Sequence, residues 1–209
     1  MTLEREKGLF VSFEGIDGTG KSTQMALLHD SLVEAGETVL LVREPGGTAL
    51  GNRIREILLD KKSIGMHPET ELLLFEAARA QIVREVIQPA LDDGTIVLCD
   101  RFFDSTVAYQ GGARGLDCET IHLLNRFAAG GLEPDITFLL DLPEDVAAGR
   151  QKNRGAADRL EAEGLAFMRR VRQAYLDLAQ MLPRIVVLDA MVSVPELAQD
   201  IADRFWEVT

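Results

Sequence analysis

Eight consecutive residues, Gly15-Ile16-Asp17-Gly18-Thr19-Gly20-Lys21-Ser22, have the types and spacing to hold a chain of phosphates. They fit G-x-x-x-x-G-K-[ST] in full, follow a short apolar run and lead into a helical pattern. Glycines let backbone N–H groups converge on phosphate oxygens where side chains would block the approach. The helix opening at Lys21 adds free N–H groups and its positive dipole end. Lys21 would reach the β- and γ-phosphates, Ser22 would offer its hydroxyl to Mg²⁺, and Thr23 would complete the loop. The plain alternative is a glycine-rich turn with an ordinary exposed lysine. By residue frequencies the four fixed positions match in roughly 1% of chains this long, before any flanking strand and helix are required. The loop therefore points to a nucleoside triphosphate, without saying which reaction follows.

The elements that position this loop alternate. Short β-branched runs at 8–14, 38–44, 95–100, 135–142 and 184–190 read as strands. Helical spacing fills 21–36, 50–59, 67–94, 118–129, 144–182 with a break at 152–158, and 194–208. The run TIVLCD at 95–100 is almost unbroken apolar, as a strand covered on both faces should be. A glycine-rich stretch, YQGGARG at 109–115, separates it from the next helix. This alternation predicts an α/β fold, with a five-stranded parallel sheet and helices on both faces. No repeat or linker divides the chain, so a single domain over 1–209 is expected.

The 209 residues carry a formal charge of −12, which argues against a protein that coats nucleic acid. No apolar run is long enough to span a membrane, and the first residues, MTLEREK, lack an apolar signal region. Only two cysteines, Cys99 and Cys118, make a disulfide framework unexpected and the cytoplasm the default.

Three classes of phosphate-loop protein compete: a small-molecule kinase, a GTPase-like switch and a motor or transporter ATPase. A guanine-reading N-K-x-D is absent, and no further domain is evident. Arginines favour the kinase. Arg43 and Arg101 stand at the carboxyl ends of predicted strands, where open parallel sheets bind ligands. A second anionic ligand facing the phosphate loop is therefore expected. For Arg53, Arg55 and Arg84 the simpler reading is a solvated helix face. His29, His67 and His122 have no partners at metal-ligand or triad spacing.

The segments FEGIDGTGKSTQ (13–24), REPGGT (43–48), LLLFEAARAQ (72–81), DR (100–101), STVAYQGGARG (105–115) and RQKNRGAADRLE (150–161) together resemble the bacterial thymidylate kinases over nearly the whole chain. That resemblance implies a P-loop NTPase-type sheet, phosphoryl transfer from ATP·Mg²⁺ to dTMP, and a homodimer. It implies that Phe75 stacks on thymine, Arg79 hydrogen-bonds the base, and Arg43 and Arg101 hold the dTMP phosphate. Asp17 would approach the sugar 3′-hydroxyl, Tyr109 would crowd the 2′ position, and Ser105 and Gln110 would complete the pocket. Asp100 would position the metal. On the residues alone, Phe75 could equally be core, Asp17 a turn residue, Tyr109 a packing residue, and Asp141 the metal-linked acid in place of Asp100.

An ionised phosphate acceptor needs no strong general base, so catalysis would rest on Lys21, Arg101, the metal and mobile arginines. Some members of the resembled family carry an arginine inside the phosphate loop; here Gly18 and Thr19 stand between Asp17 and Gly20. A helical lid about 150–159 is expected to supply that charge, with Arg154 and Arg159 as the candidates to touch phosphate.

Overall fold

The computed structural model describes residues 7–151 and 158–208. Its strands are β1 (Phe10–Glu14), β2 (Val39–Arg43), β3 (Ile96–Asp100), β4 (Ile136–Asp141) and β5 (Ile185–Asp189). They form one parallel sheet in the order β2-β3-β1-β4-β5. Around it lie α1 (Lys21–Glu34), α2 (Ala49–Leu59), α3 (Pro68–Ile82), α4 (Gln88–Asp92), α5 (Phe103–Thr106), α6 (Cys118–Ala129), α7 (Glu144–Gln151), α8 (Leu165–Met181) and α9 (Val194–Val208).

Strand alternation divides the core between two faces. Val11 and Phe13 of β1 pack with Leu28 and Leu32 of α1, Phe138 of β4, and Val171 and Tyr175 of α8. Phe10 packs on the other side with Val97 and Cys99 of β3, Ile82, Ile87 and Phe102. Both central strands beside β1 are buried, whereas β2 and β5 at the edges alternate with exposed positions. The α/β reading of the sequence holds.

From β1 the chain moves to β2 and β3 on one side, and then to β4 and β5 on the other. The crevice beyond β1 and β4 is where connections diverge, and a ligand loop belongs there. Close packing explains two of its glycines. A Cβ on Gly15 would lie 2.5 Å from the Leu140 carbonyl oxygen, and one on Gly18 would lie 2.5 Å from that of Ala147. Both also have positive φ, which disfavours other residues.

Three segments differ from the sequence pattern. The helix expected over 67–94 is broken by a wide π-turn at Val83–Ile87, where the Gln88 N–H reaches the Val83 carbonyl. Pro89 explains it, because proline donates no N–H and its ring clashes with the preceding turn of a regular helix. The glycine-rich stretch after β3 is helical: α5 continues into a π-turn at Val107–Ala113 that packs on α8. After residue 158 the chain makes a 3₁₀ turn at Glu161–Glu163 before α8 begins, because Gly164 at φ 86° interrupts the helical path.

The π-turn and α8 meet at Gly112, where an added Cβ would stand 2.3 Å from the Ala174 Cβ. Neither methyl can rotate away, so we expect Gly112→Ala to wedge the two apart and destabilise the fold by about 1–3 kcal/mol. A thermal melt checks this: an unchanged Tm would mean that α8 shifts freely.

Candidate active site

The phosphate loop is held from within. Thr19 donates its hydroxyl to the Ile16 carbonyl at 3.0 Å, and Lys21 donates to the carbonyls of Gly15 and Ile16 at 3.0 Å each. The Lys21 ammonium is nearly enclosed, 3.8 Å from Asp17. Burial, and then the like charge of Arg101, lower its pKa. Ser22 donates to Asp100 Oδ2 at 3.1 Å, joining the loop to the end of β3. A hydroxyl and a carboxylate so placed are the hard oxygen donors that Mg²⁺ prefers. Among the described residues no group of three or more His, Cys, Asp or Glu could hold a metal. The pair fits an ion that shares its ligands with phosphate, and does not form a cage. Asp141, the other candidate acid, is bound instead by Arg172 at 2.6 and 2.8 Å.

Arg101 stands at the centre. Its Nη2 donates to Asp17 at 2.7 Å and to the Tyr109 hydroxyl at 3.3 Å, and Nη1 donates to Ser105 and Tyr175 at 3.2 Å each. Its φ of 70° is left-handed, which is rare for a residue with a Cβ and characteristic of functional sites. Burial would raise the Asp17 pKa, but the charges of Arg101 and Lys21 and the Arg101 hydrogen bond together outweigh it and hold the carboxyl down at about 2.

Two cavities share this arginine. One is bounded by the phosphate loop, with Lys21, Ser22, Arg43, Arg55 and Asp100. The other lies beyond Arg101 and Asp17, walled by Phe75, Tyr109, Gln110, Ser105 and Leu160. Arg43 is exposed at the first cavity, and the half-buried Arg55 faces both. Burial, and then the neighbouring Arg43 charge, lower the Arg55 pKa. Arg43, Arg55, Arg101 and Lys21 form a cationic cluster in an acidic chain, which is the local condition for a second anion. Treating Arg55 as a solvated helix face is thus corrected. It follows Ile54 on the wheel that buries Gly51, Ile54 and Leu58, whereas Arg53 points to solvent.

Phe75 is both wall and packing residue, lining the second cavity while resting on Ile54, Leu58 and Ala78. Tyr109 lies beneath Arg101, with the guanidinium 5.2 Å from its ring. Gln110 donates to Glu71 at 2.8 Å. Arg79 is 1% exposed and is not among the lining residues. It donates to Glu44, Glu76, Asn125 and Thr106 at 2.8 to 3.0 Å, which engages four of its five N–H groups. Burial would lower its pKa, but Glu44 and Glu76 raise it.

Arg159 is not at the phosphates either. It is 7% exposed, donating to the Leu58 carbonyl at 2.7 Å and paired with Glu71 at 2.6 Å. The same Glu71 accepts from Arg114 at 3.1 Å, and Arg114 also pairs with Glu163. This end of the expected lid is therefore anchored to α3, and the expectation that Arg159 touches phosphate is corrected. Arg154 lies outside the described residues.

Three further residues and one further cavity carry no signal that the sequence reading used. Glu14, Glu71 and Tyr175 read as ordinary strand and helix residues, although a carboxylate in an apolar strand is a usable signal. A third cavity runs from Gly18–Gly20 past Thr23 and Gln24 to Arg150 and the turn after β5, around Val192–Val194. Arg150 is tied to that turn by a bond to the Ala190 carbonyl at 3.1 Å. Short connecting turns carry no composition signal, so only the fold brings this one to the loop.

A phosphate loop at the sheet's switch point, with a cavity on either side, defines a P-loop α/β protein. Comparison with known proteins identifies which one. A family model described as thymidylate kinase matches residues 13–201. A thymidylate kinase of Kosmotoga olearia is 50% identical over 198 residues, covering 94% of this chain and 95% of its own. One of Pseudomonas putida is 52% identical over 195 residues, covering 93% of each. The crystal structure of thymidylate kinase from Ehrlichia chaffeensis superposes with a TM-score of 0.77 at 35% identity, covering 95% of this chain and 98% of that one. The chain belongs to the thymidylate kinase family.

Burial pushes the carboxyls of Glu14 and Glu44 up to about 7, the first aided by Asp104 and opposed by Arg101, the second opposed by Arg79. Between the ordinary glutamate range near 4.5 and about 7, the folded chain thus keeps protons that the unfolded chain releases. Stability should fall as pH rises through that window. We expect a lower Tm at pH 8 than at pH 6, and a smaller difference in Glu44→Gln; an equal difference would place the burden elsewhere.

Proposed function

We propose that this chain transfers the γ-phosphoryl group of ATP to dTMP, giving dTDP and ADP. The supporting observation is the position of Arg101 and Asp17, which belong at once to the cavity of Lys21 and to the cavity of Phe75 and Tyr109. A donor phosphate on the loop and an acceptor phosphate on the arginines would meet across these two side chains. Membership of the thymidylate kinase family supplies the acceptor's identity.

In this reading Gly15 to Thr23 hold the donor phosphates, and the cavity beside Arg150 and Val192–Val194 takes the donor nucleoside. Phe75 stacks on thymine, and Gln110, fixed by Glu71, faces the base edge. Arg79 supports the wall from behind through Thr106, which lines the cavity. Tyr109 fills the space beside the sugar 2′ position, and Asp17 faces the 3′-hydroxyl. Arg43, Arg55 and Arg101 clamp the acceptor phosphate by paired, charge-assisted bonds. Ser105 acts through Arg101.

The second phosphate pKa is near 6, so the attacking oxygen is already largely ionised at neutral pH and no side chain need remove a proton. The chain's contribution is alignment and charge compensation by Lys21 and Arg101. Ser22 and Asp100 would hold Mg²⁺, which when bound neutralises charge on the donor phosphates. Arg154 is proposed as the lid cation that touches the phosphates, on a segment that excludes water with the substrates in place.

We also propose a homodimer. Leu50 and Ile57 of α2, Leu73 of α3, and Leu123 and Phe127 of α6 are exposed, with Phe127 at 81%. Because α3 packs against both α2 and α6, these side chains belong to neighbouring helices, and exposed apolar groups so placed support an interface. We place the protein in the cytoplasm, in keeping with its two free thiols, Cys99 and Cys118.

ADP release measured with dTMP, dUMP, dCMP, dGMP and AMP should be fastest with dTMP; preference for another acceptor overturns the reading. Lys21→Ala should lower kcat on the order of 100-fold, and Arg55→Ala should raise KM for dTMP about tenfold with little effect on KM for ATP. Light scattering should give the mass of two chains, and of one chain for Phe127→Glu. A monomeric wild type would refute the dimer.

A further inference from the structure

Glu14 is the last residue of β1, fully buried directly ahead of the phosphate loop, and nothing in the proposed transfer uses it. Its two oxygens do different work. Oε1 accepts the Phe102 N–H at 2.7 Å, fixing the peptide that follows Arg101. Oε2 lies 2.6 Å from Ser105 Oγ and 2.8 Å from the Tyr175 hydroxyl, and those two hydroxyls are 2.7 Å apart. The three oxygens thus form a closed triangle of short contacts. Each side of a triangle needs one proton, and the two hydroxyls supply only two. The third side would otherwise bring two lone pairs together in a buried site, at a cost comparable to an unmade hydrogen bond. A carboxyl proton on Glu14 closes the ring.

Arg101 Nη1 donates to two corners of this ring, Ser105 and Tyr175, at 3.2 Å each. Its backbone is left-handed, a conformation that persists only where the surroundings hold it. Glu14 therefore grips Arg101 twice, at the following peptide and through the ring at the guanidinium. Tyr175 comes from α8, 74 residues further along the chain, so the ring also ties that helix to the site.

We propose that Glu14, in its protonated form, and Tyr175 are positioning residues for the acceptor phosphate: with Ser105 they form a hydrogen-bonded ring that sets the direction in which Arg101 presents its guanidinium. Burial and the nearby Asp104 carboxylate both favour the neutral acid, against the pull of Arg101. A neutral Glu14 leaves Asp17, at 2.7 Å, as the carboxylate ion-paired with Arg101 among the described residues. The Arg101 charge is then available to a phosphate, whereas a carboxylate at Glu14 would draw the guanidinium inward.

This inference rests on dTMP as acceptor, and the experiment separates the two. Steady-state kinetics and competition by thymidine, which lacks the phosphate, are measured for wild type, Tyr175→Phe, Glu14→Ala and Glu14→Gln. We expect Tyr175→Phe and Glu14→Ala to raise KM for dTMP about tenfold, with KM for ATP and the inhibition constant of thymidine within about twofold of wild type. Glu14→Gln, a neutral isostere with a donor and an acceptor, should recover KM for dTMP to within about threefold. Should Glu14→Ala fail to fold, Tyr175→Phe and Glu14→Gln carry the test. Equal weakening of dTMP, thymidine and ATP would reduce the ring to a packing feature. A Glu14→Gln as weak for dTMP as wild type stripped of the ring by Tyr175→Phe would show that the carboxylate charge is what matters. If wild type itself does not phosphorylate dTMP, the proposed function fails instead.

Discussion

A guanidinium held at the end of a parallel sheet, with its side chain only 15% exposed, must find compensation within the protein. Arg101 finds it in Asp17, which belongs to the phosphate loop, and in the hydroxyls of Ser105, Tyr109 and Tyr175. These partners come from the loop after β1, from the helical turns after β3, and from α8. The cation proposed to face an acceptor phosphate is thus also the contact at which three separate pieces of the fold meet.

The rest of the site follows from this arrangement. The loop glycines allow close approach to the β4 side of the crevice, at the carbonyls of Leu140 and Ala147. Ser22 and Asp100 tie the loop to β3, and Asp17 ties it to Arg101. Buried carboxylates balance the arginines: Glu44, on the wall of both cavities, and Glu76 surround Arg79, and Glu71 gathers Gln110, Arg114 and Arg159. A strongly acidic chain can in this way present a cationic surface to its ligands, because its acids are distributed behind and around that surface.

One carboxylate links the wall of the second cavity to the segment that follows residue 157. Glu71 bonds both Gln110, on the wall of the nucleoside cavity, and Arg159, at the end of the segment where a lid is expected. A pairing of this kind fixes Arg159 against α2 and α3. It accounts for an arginine near the expected lid that does not face the phosphate loop.

The amino-acid sequence by itself determined the elements and the chemistry that is local in the chain. Alternating runs specified five strands, and the spacing of Gly15, Gly20, Lys21 and Ser22 specified an anion loop, because backbone N–H groups at a helix start suffice for that task. What only the tertiary structure decided was which side chains share a space. Arg55 became a cavity residue and Arg159 a buried anchor, although both lie in arginine-rich segments that look alike in sequence. Arg79 moved behind the pocket wall because Glu44 and Glu76, 35 and three residues away, hold it there. The Glu14–Ser105–Tyr175 ring joins residues as many as 161 apart, and no local pattern encodes a contact of that range. The physical reason is that periodicity reports burial of one face of one element, whereas a pairing of buried polar groups depends on how separate elements pack.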